Sequence, residues 1–353
     1  MRFLSILLLA AAMTAACQPT NGATALRATL PPTQAAIALA TAVPTTAVPP
    51  TETASPTPTP SATHTATATA TATVTLTPSA TFTPSHTPVP SLTPTMARVD
   101  FYAFQRPFLR TQTDYIDRTY PYGMGETRGL PIHHGVDIQN GRHTPILAVG
   151  GGTVYYAGDD QTRMFGPIPD YYGNLVIIQH DVMSMEGLPV YTLYGHMQKI
   201  EVATGDVVEA GQRIGTVGDA GVAFGPHLHL EVRVGDPDSF GSSRNPELWI
   251  LPYPGFGTLA GRVTNPDGTT PYETTVTVRR AGLTGGVPRF AYTYSSDPLI
   301  NSDAAWNENF TLGDLPEDEY EVIVSERSGR IRFRETLRVE SGQTTWVEIV
   351  LKP

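Results

Sequence analysis

Seven of the nine histidines of this 353-residue chain fall between His133 and His229, and the other two, His64 and His86, sit in a Thr- and Pro-rich stretch near the N-terminus. The densest run is Pro226-His227-Leu228-His229-Leu230-Glu231-Val232. Side chains alternate across a strand, so Leu228, Leu230 and Val232 can enter a core while His227 and His229 project together from the other face. Their Cα atoms are then about two strand rises apart, ~6.8 Å, close enough for one imidazole to bind a metal while its neighbour acts on whatever that metal activates. Upstream, Pro131-Ile132-His133-His134-Gly135-Val136-Asp137 offers a histidine and a carboxylate four residues apart. Even spacing in an extended segment puts His133 and Asp137 on one side and turns His134 to the opposite one. Two nitrogen ligands and one oxygen ligand leave the fourth tetrahedral position of Zn²⁺ open for water, whereas Mg²⁺ or Ca²⁺ would call for more oxygens. His196, at the end of a Tyr-rich run, is a partner for His227, since an imidazole titrating near ~6.5 can take a proton from activated water and return it to a leaving amine. His143 is expected on an exposed turn after Gly141, and His180 is expected to be structural or solvated. Glu231 shares the histidine face by alternation, either supporting a ligand or lying at the surface.

The elements that must hold these side chains are strands. Short β-type runs bounded by Gly and Asp cover residues 146–149, 152–156, 174–179, 190–194 and 228–234, and residues 207–218 add a strand-turn-strand rhythm with glycine at the tight positions. No amphipathic helix of three turns is readable, so the expectation is an all-β, antiparallel domain. After Pro254 the alternation restarts at residues 259–263, 275–278, 309–312, 320–324 and 345–350, which reads as a second all-β unit, a β-sandwich without a catalytic cluster. It is expected to act as a passive spacer or fold-stabilising partner, with wall-glycan binding as the alternative.

The first 96 residues cannot form a core. They carry only Arg2, Arg27 and Glu52 as charges, so the remainder has a net charge of −11 and would be repelled by phosphate backbones, which excludes a nucleic acid partner. Met1 and Arg2 followed by the apolar run 3–12 read as a secretion signal too short to span a bilayer. Thr14-Ala15-Ala16-Cys17 resembles a bacterial lipobox, with Thr14 where a large aliphatic residue is usual. That makes Cys17 the expected lipidation site and the product an exported lipoprotein anchored in the cell envelope and facing the wall. Cys17 is the only cysteine, so an internal disulfide is excluded and the exported domains must be held by core, sheet ladders and metal. Residues 18–97, rich in Thr, Pro and Ala, read as a disordered, semi-rigid tether with a reach on the order of 200 Å.

Together the strings His133-His134-Gly135-Val136-Asp137, Tyr194-Gly195-His196-Met197 and Gly225-Pro226-His227-Leu228-His229-Leu230-Glu231-Val232 resemble the lysostaphin and LytM family of zinc metallo-endopeptidases over residues 98–256. The resemblance implies a compact antiparallel β domain of duplicated-hybrid-motif type with an open groove. It also implies one Zn²⁺ held by His133, Asp137 and His229, a catalytic pair His196 and His227, and peptidoglycan stem peptides or cross-bridges as substrate. All five positions are present, whereas related wall-binding regulators that activate amidases without cutting have usually lost some of them. Residues 257–353 resemble the carboxypeptidase regulatory-like sandwich through the Gly-x-Val opening and Gly313-Asp314-Leu315-Pro316 leading to Tyr320, with Glu317-Asp318-Glu319 departing from the usual glycine turn.

Overall fold

The computed structural model describes residues 98–283 and 285–353; Cys17, the signal run and the tether lie outside the described residues. Strands dominate. In chain order they are β1 (Val136–Gln139), β2 (Pro145–Leu147), β3 (Gly152–Asp159), β4 (Asn174–Met183), β5 (Pro189–Gly195), β6 (Met197–Ile200), β7 (Val207–Val208), β8 (Arg213–Val217), β9 (His227–Val234) and β10 (Ser243–Arg244). Then follow β11 (Phe256–Thr264), β12 (Thr275–Arg280), β13 (Arg289–Tyr292), β14 (Phe310–Pro316), β15 (Asp318–Ser325), β16 (Ile331–Val339) and β17 (Thr344–Val350). Among the described residues, helix is confined to three 3-10 turns, and none is long and apolar enough to cross a membrane.

The expected all-β, antiparallel architecture is what the chain adopts. The large sheet runs β1-β9-β5-β4-β3-β7 with β10 added beside β9, and a smaller sheet runs β2-β8-β6. Period-two alternation loads both faces of the large sheet with apolar side chains. Val176 and Ile178 of β4 join Val136, Leu228 and Leu230 in the main core, while Leu175 and Ile177 join Leu193, Tyr172 and Phe165 in a second cluster on the opposite face. The segment between β3 and β4 supplies Phe165 and Tyr172 to cover that face, so the sheet is buried on both sides around β9, all eight of whose residues are buried.

The C-terminal strands form the sheets β14-β11-β17 and β13-β12-β15-β16, which share a core containing Leu259, Phe310 and Ile349 from the first and Val276, Tyr320 and Val322 from the second. All pairings are antiparallel except β11 with β17. The main core crosses from the N-terminal sheets into this part of the chain. Ala260, Ala305 and Trp306 pack in the same cluster as Phe104 and Trp249, and Trp306 stacks on Trp346 at 6.3 Å. Polar ties follow the same seam. Arg106 pairs with Asp314 at 2.5 Å, Tyr253 donates to Asp114 at 2.8 Å, and the buried Glu247 carboxylate pairs with Arg118 and accepts the Gly313 amide.

Glu308 lies fully buried behind this seam, accepting the Tyr294 hydroxyl at 2.8 Å and the Asp303 amide at 2.9 Å. Burial, and then the neighbouring Asp303 carboxylate, push its carboxyl up to about 8. The folded chain therefore holds a proton there that the unfolded chain releases near ~4.3. Stability from this group is complete below ~4.3 and is lost as pH rises through about 8. We expect urea unfolding between pH 5 and 9 to show a fall on the order of a few kcal/mol that Glu308→Gln flattens.

Candidate metal centre

The antiparallel register of β1 on β9 sets Asp137 directly opposite His229, with Val136 opposite Leu230 and Ile138 opposite Leu228 on the core side. His133 reaches the same point from the segment before β1. Its Nε2 lies 3.1 Å from Asp137 Oδ1 and 3.1 Å from His229 Nδ1, and His229 Nδ1 lies 3.0 Å from Asp137 Oδ1. Gly135 permits this approach, because a Cβ there would stand 2.5 Å from the Leu230 carbonyl oxygen and 2.9 Å from the His229 ring. The three side chains form a group able to hold a metal ion. Ligands bound at ~2.0–2.1 Å in a tetrahedron are ~3.3 Å apart, so the spacing and the N₂O donor set fit zinc.

Backbone carbonyls fix the ring orientations. His133 Nδ1 donates to Tyr120 O at 2.6 Å, His196 Nδ1 to Ala220 O at 2.8 Å and His227 Nδ1 to Gly225 O at 2.8 Å. A carbonyl only accepts, so each Nδ1 carries a hydrogen and it is Nε2 that each ring turns toward the centre. The Tyr120 ring stacks on His133 at 4.2 Å and 5°. His196 follows β5 in left-handed backbone, φ 59°, a conformation that costs a non-glycine residue about 1–3 kcal/mol and turns the ring toward β9. The rings of His196 and His227 are 4.8 Å apart, and His227 Nε2 stands 3.6 Å from Asp137 Oδ1. Burial, followed by the proximity of His229 and His227, drives His196 down to about 3, so it is a neutral acceptor at physiological pH.

The environment of the three donors asks for positive charge. Burial alone would raise the Asp137 carboxyl, yet His133 beside it and the hydrogen bonds from both imidazoles hold it well below the usual range. His229 is fully buried, which lowers it, but it lies between the Asp137 and Glu231 carboxylates and is pushed up to about 9. Its Nε2 is 3.1 Å from Glu231 Oε1, and a carboxylate there orients the ring with Nδ1 toward the centre. Glu231 also accepts the Tyr172 hydroxyl and pairs with Arg233 at 2.7 Å. Arg233 also donates to the Pro237 and Phe165 carbonyls, at 2.8 and 2.9 Å, and to the Tyr172 hydroxyl at 2.9 Å. Sequence alternation leaves Glu231 between surface and support; the structure buries it completely, and Arg233 behind it is a participant that alternation alone does not single out. The only available signal is two ionisable residues spaced by two on the strand that carries both histidines.

The five histidine and aspartate positions line one groove of about 330 Å³, together with Tyr120, Leu130, Pro131, Tyr171 and Phe224. His134 is elsewhere, on the opposite side of its segment. Its Nδ1 meets Ser243 Oγ at 3.1 Å, its ring stacks on Phe240 at 3.6 Å, and burial drives it down to about 4. His143 is exposed on a turn at φ 69°. His180 is buried and structural, bonded through its two ring nitrogens to Gly151 O and Thr192 Oγ1.

Residues 131–244 match the model of peptidase family M23. Curated relatives include the peptidoglycan DD-endopeptidase ShyB of Vibrio cholerae, 36% identical over 139 residues that make up 37% of this chain and 29% of that protein. Lysostaphin of Staphylococcus simulans is 32% identical over 146 residues, 41% of this chain and 26% of that protein. The matched stretch thus spans less than a third of the length of either relative. Among solved structures, the catalytic domain of the prophage-encoded M23 protein EnpA from Enterococcus faecalis is 28% identical, with 41% of this chain and 96% of that chain covered and a TM-score of 0.33.

Two outcomes follow from the charges. Because His229 holds a proton up to about pH 9 without a cation, zinc uptake at pH 7 should release about one proton and affinity should rise about tenfold per pH unit up to about 9, then level off; calorimetry in buffers of different ionisation enthalpy reads both. Arg233→Met, which takes the guanidinium from the buried Glu231 carboxylate, should cost ~3–5 kcal/mol in urea unfolding.

Proposed function

We propose that the protein is a zinc-dependent endopeptidase that hydrolyses peptide bonds of peptidoglycan stem peptides or cross-bridges. The observation that carries this reading is the meeting, in one open groove, of the His133, Asp137 and His229 donor atoms with the paired imidazoles of His196 and His227. His133, Asp137 and His229 are the zinc-holding residues. Zinc in that position supplies Lewis acidity to a peptide carbonyl and to water, a contribution this chain's side chains lack. Among those side chains, His196 and His227 are the acid–base pair. Each has its Nδ1 hydrogen committed to a carbonyl and its Nε2 free, so one imidazole can accept the proton of an attacking water and then deliver it to the departing amine. The low basicity of His196 keeps it neutral across the physiological range, which suits it to accept and quickly pass on a proton.

The substrate class rests on the names of the relatives: ShyB is called a peptidoglycan DD-endopeptidase, and the chain shares the domain over which the two align. Export and lipid attachment at Cys17 complete the reading by bringing the enzyme to the wall, with the stretch 18–97 as tether. The domain limits we adopt are 98–256 for the peptidase and 257–353 for a β-sandwich of carboxypeptidase regulatory-like type.

The purified protein should release new amino groups from peptidoglycan, lose that activity with a chelator and regain it with zinc. His196→Ala and His227→Ala should each lower kcat by ~10²–10⁴ while retaining bound zinc, and Asp137→Ala should lose the metal itself. Zinc binding with unchanged turnover in His227→Ala would remove the assigned role of the pair.

A further inference from the structure

The segment that delivers His133 to the centre is held from behind by the C-terminal sheets. Residues 119–131 make one wall of the groove, and the chain then turns back so that His133 exchanges backbone hydrogen bonds with it. Gly123 N donates to His133 O at 2.8 Å, and His133 N donates to Met124 O at 2.9 Å. The imidazole itself is oriented by the same segment, through the Tyr120 carbonyl and ring. Any shift of residues 119–125 is therefore a shift of the His133 Nε2 lone pair.

Four contacts hold that segment, and the C-terminal residues supply one side of each. The Glu273 carboxylate accepts Gly125 N on one oxygen at 2.9 Å and Thr127 N on the other at 2.7 Å, so it straps the 3-10 turn Glu126–Arg128. Ser295 N donates to Gly123 O at 2.7 Å. The Tyr294 ring fills the space where a side chain at residue 123 would go, 2.7 Å from the position of a Cβ. The buried Tyr122 hydroxyl donates to Asn301 O or Ser243 O, each 3.1 Å away, and the Asn301 amide donates back to it at 3.2 Å. Glu273 itself is held at φ 45°, in left-handed backbone that a glutamate adopts only at a cost of about 1–3 kcal/mol. That conformation aims the carboxylate across the seam at two amides that have no other acceptor among the contacts described.

We propose that Glu273 is a positioning residue for the metal centre: by clamping the amides of Gly125 and Thr127 from the C-terminal side, it sets the groove wall and, through it, the orientation of His133. The C-terminal residues are then part of the site's scaffold and not a passive spacer. The proposal rests on the reading of His133 as a zinc ligand. Its chemistry is that of a charge-assisted clamp, in which one carboxylate satisfies backbone donors that would otherwise turn to water and let the segment open.

The test uses the purified protein and its Glu273→Ala and Glu273→Gln variants, with three readouts. Competition with a chromogenic chelator should show zinc held ~10-fold more weakly in Glu273→Ala, the lower end of what support shells contribute, with most of the loss restored in Glu273→Gln, which keeps an acceptor of the same length. Limited trypsinolysis read by mass spectrometry should show cleavage after the exposed Arg128 about tenfold faster in Glu273→Ala, with other tryptic sites unchanged. The kcat should fall with KM near the wild-type value. Wild-type zinc affinity in Glu273→Ala overturns the proposal, whatever its melting temperature or cleavage rate, because a merely structural contact would change those alone. Failure of the functional reading is a separate result, seen in the wild-type protein as an absence of zinc or of wall hydrolysis before any variant is compared.

Discussion

Everything in the groove depends on one oxygen. Asp137 Oδ1 lies within 3.1 Å of ring nitrogens from both His133 and His229, and 3.6 Å from a third on His227. Its position is a matter of register. Asp137 faces His229 across the β1–β9 ladder because Val136 faces Leu230 and Ile138 faces Leu228, and these four apolar side chains are fully buried. A slip of one residue would move the apolar set to the groove side and the aspartate into the core. Hydrophobic burial, at roughly 1.5–3 kcal/mol for each such side chain, therefore stabilises the geometry of polar groups that would not assemble on their own. The same Asp137 carboxylate in low-dielectric surroundings is tolerable only beside positive charge, so the core that positions the site also creates its demand for a cation.

The strand that carries the two histidines is unusual in burying polar side chains along its whole length. Beyond His229 come Glu231 and Arg233, both at zero exposure, joined to each other, to Tyr172 and to two backbone carbonyls. A buried ion pair of this kind adds little net stability relative to an apolar pair. What it contributes is orientation: the Glu231 carboxylate reaches Nε2 of His229, and Arg233 keeps that carboxylate ionised and still. Because Arg233 also binds the Phe165 carbonyl, the segment between β3 and β4 that covers the second face of the sheet is tied to the same chain of contacts. The residues behind the centre are thus as constrained as those in it.

Strand periodicity was sufficient to bring His133, Asp137, His227 and His229 to one face, since the arithmetic of two holds wherever a segment is extended. It also located most strands, including β3, β4, β5 and β9. His196 needed a turn that periodicity does not describe, with φ at 59° immediately after β5, so its placement beside His227 came from its strand-end position and from family likeness. The strands β13 and β16 escaped notice for a different reason. β16 reads Ile-Arg-Phe-Arg-Glu-Thr-Leu-Arg-Val, and most of it is exposed or half-buried, so charge masks its alternation. Glu231 was ambiguous, and Arg233 was not singled out, because a polar residue facing away from a core normally meets water, whereas here the opposite face has a core of its own built by Phe165 and Tyr172. The seam between the N-terminal and C-terminal sheets was invisible because its partners, such as Tyr122 and Asn301, are 179 residues apart.

The two walls of the groove are built on different principles. The wall of residues 119–131 is bonded on its inner side to His133 and on its outer side to Glu273, Tyr294 and Ser295, so it has little freedom to follow a ligand. The facing wall, residues 220–225, has its base packed so closely on residues 171–173 that a Cβ at Gly221 would stand 2.5 Å from Gly173 N, and its Ala220 carbonyl fixes His196. Its tip is different: Phe224 is 90% exposed and Gly225 takes φ 132°, open to a glycine alone, before the chain enters β9. Contacts are therefore densest where ring orientations are set and sparse at the exposed Phe224 tip. Under the proposed function, a peptide that covers Phe224 on its way to His196 and His227 would gain apolar burial on the order of 1.5–3 kcal/mol at that tip.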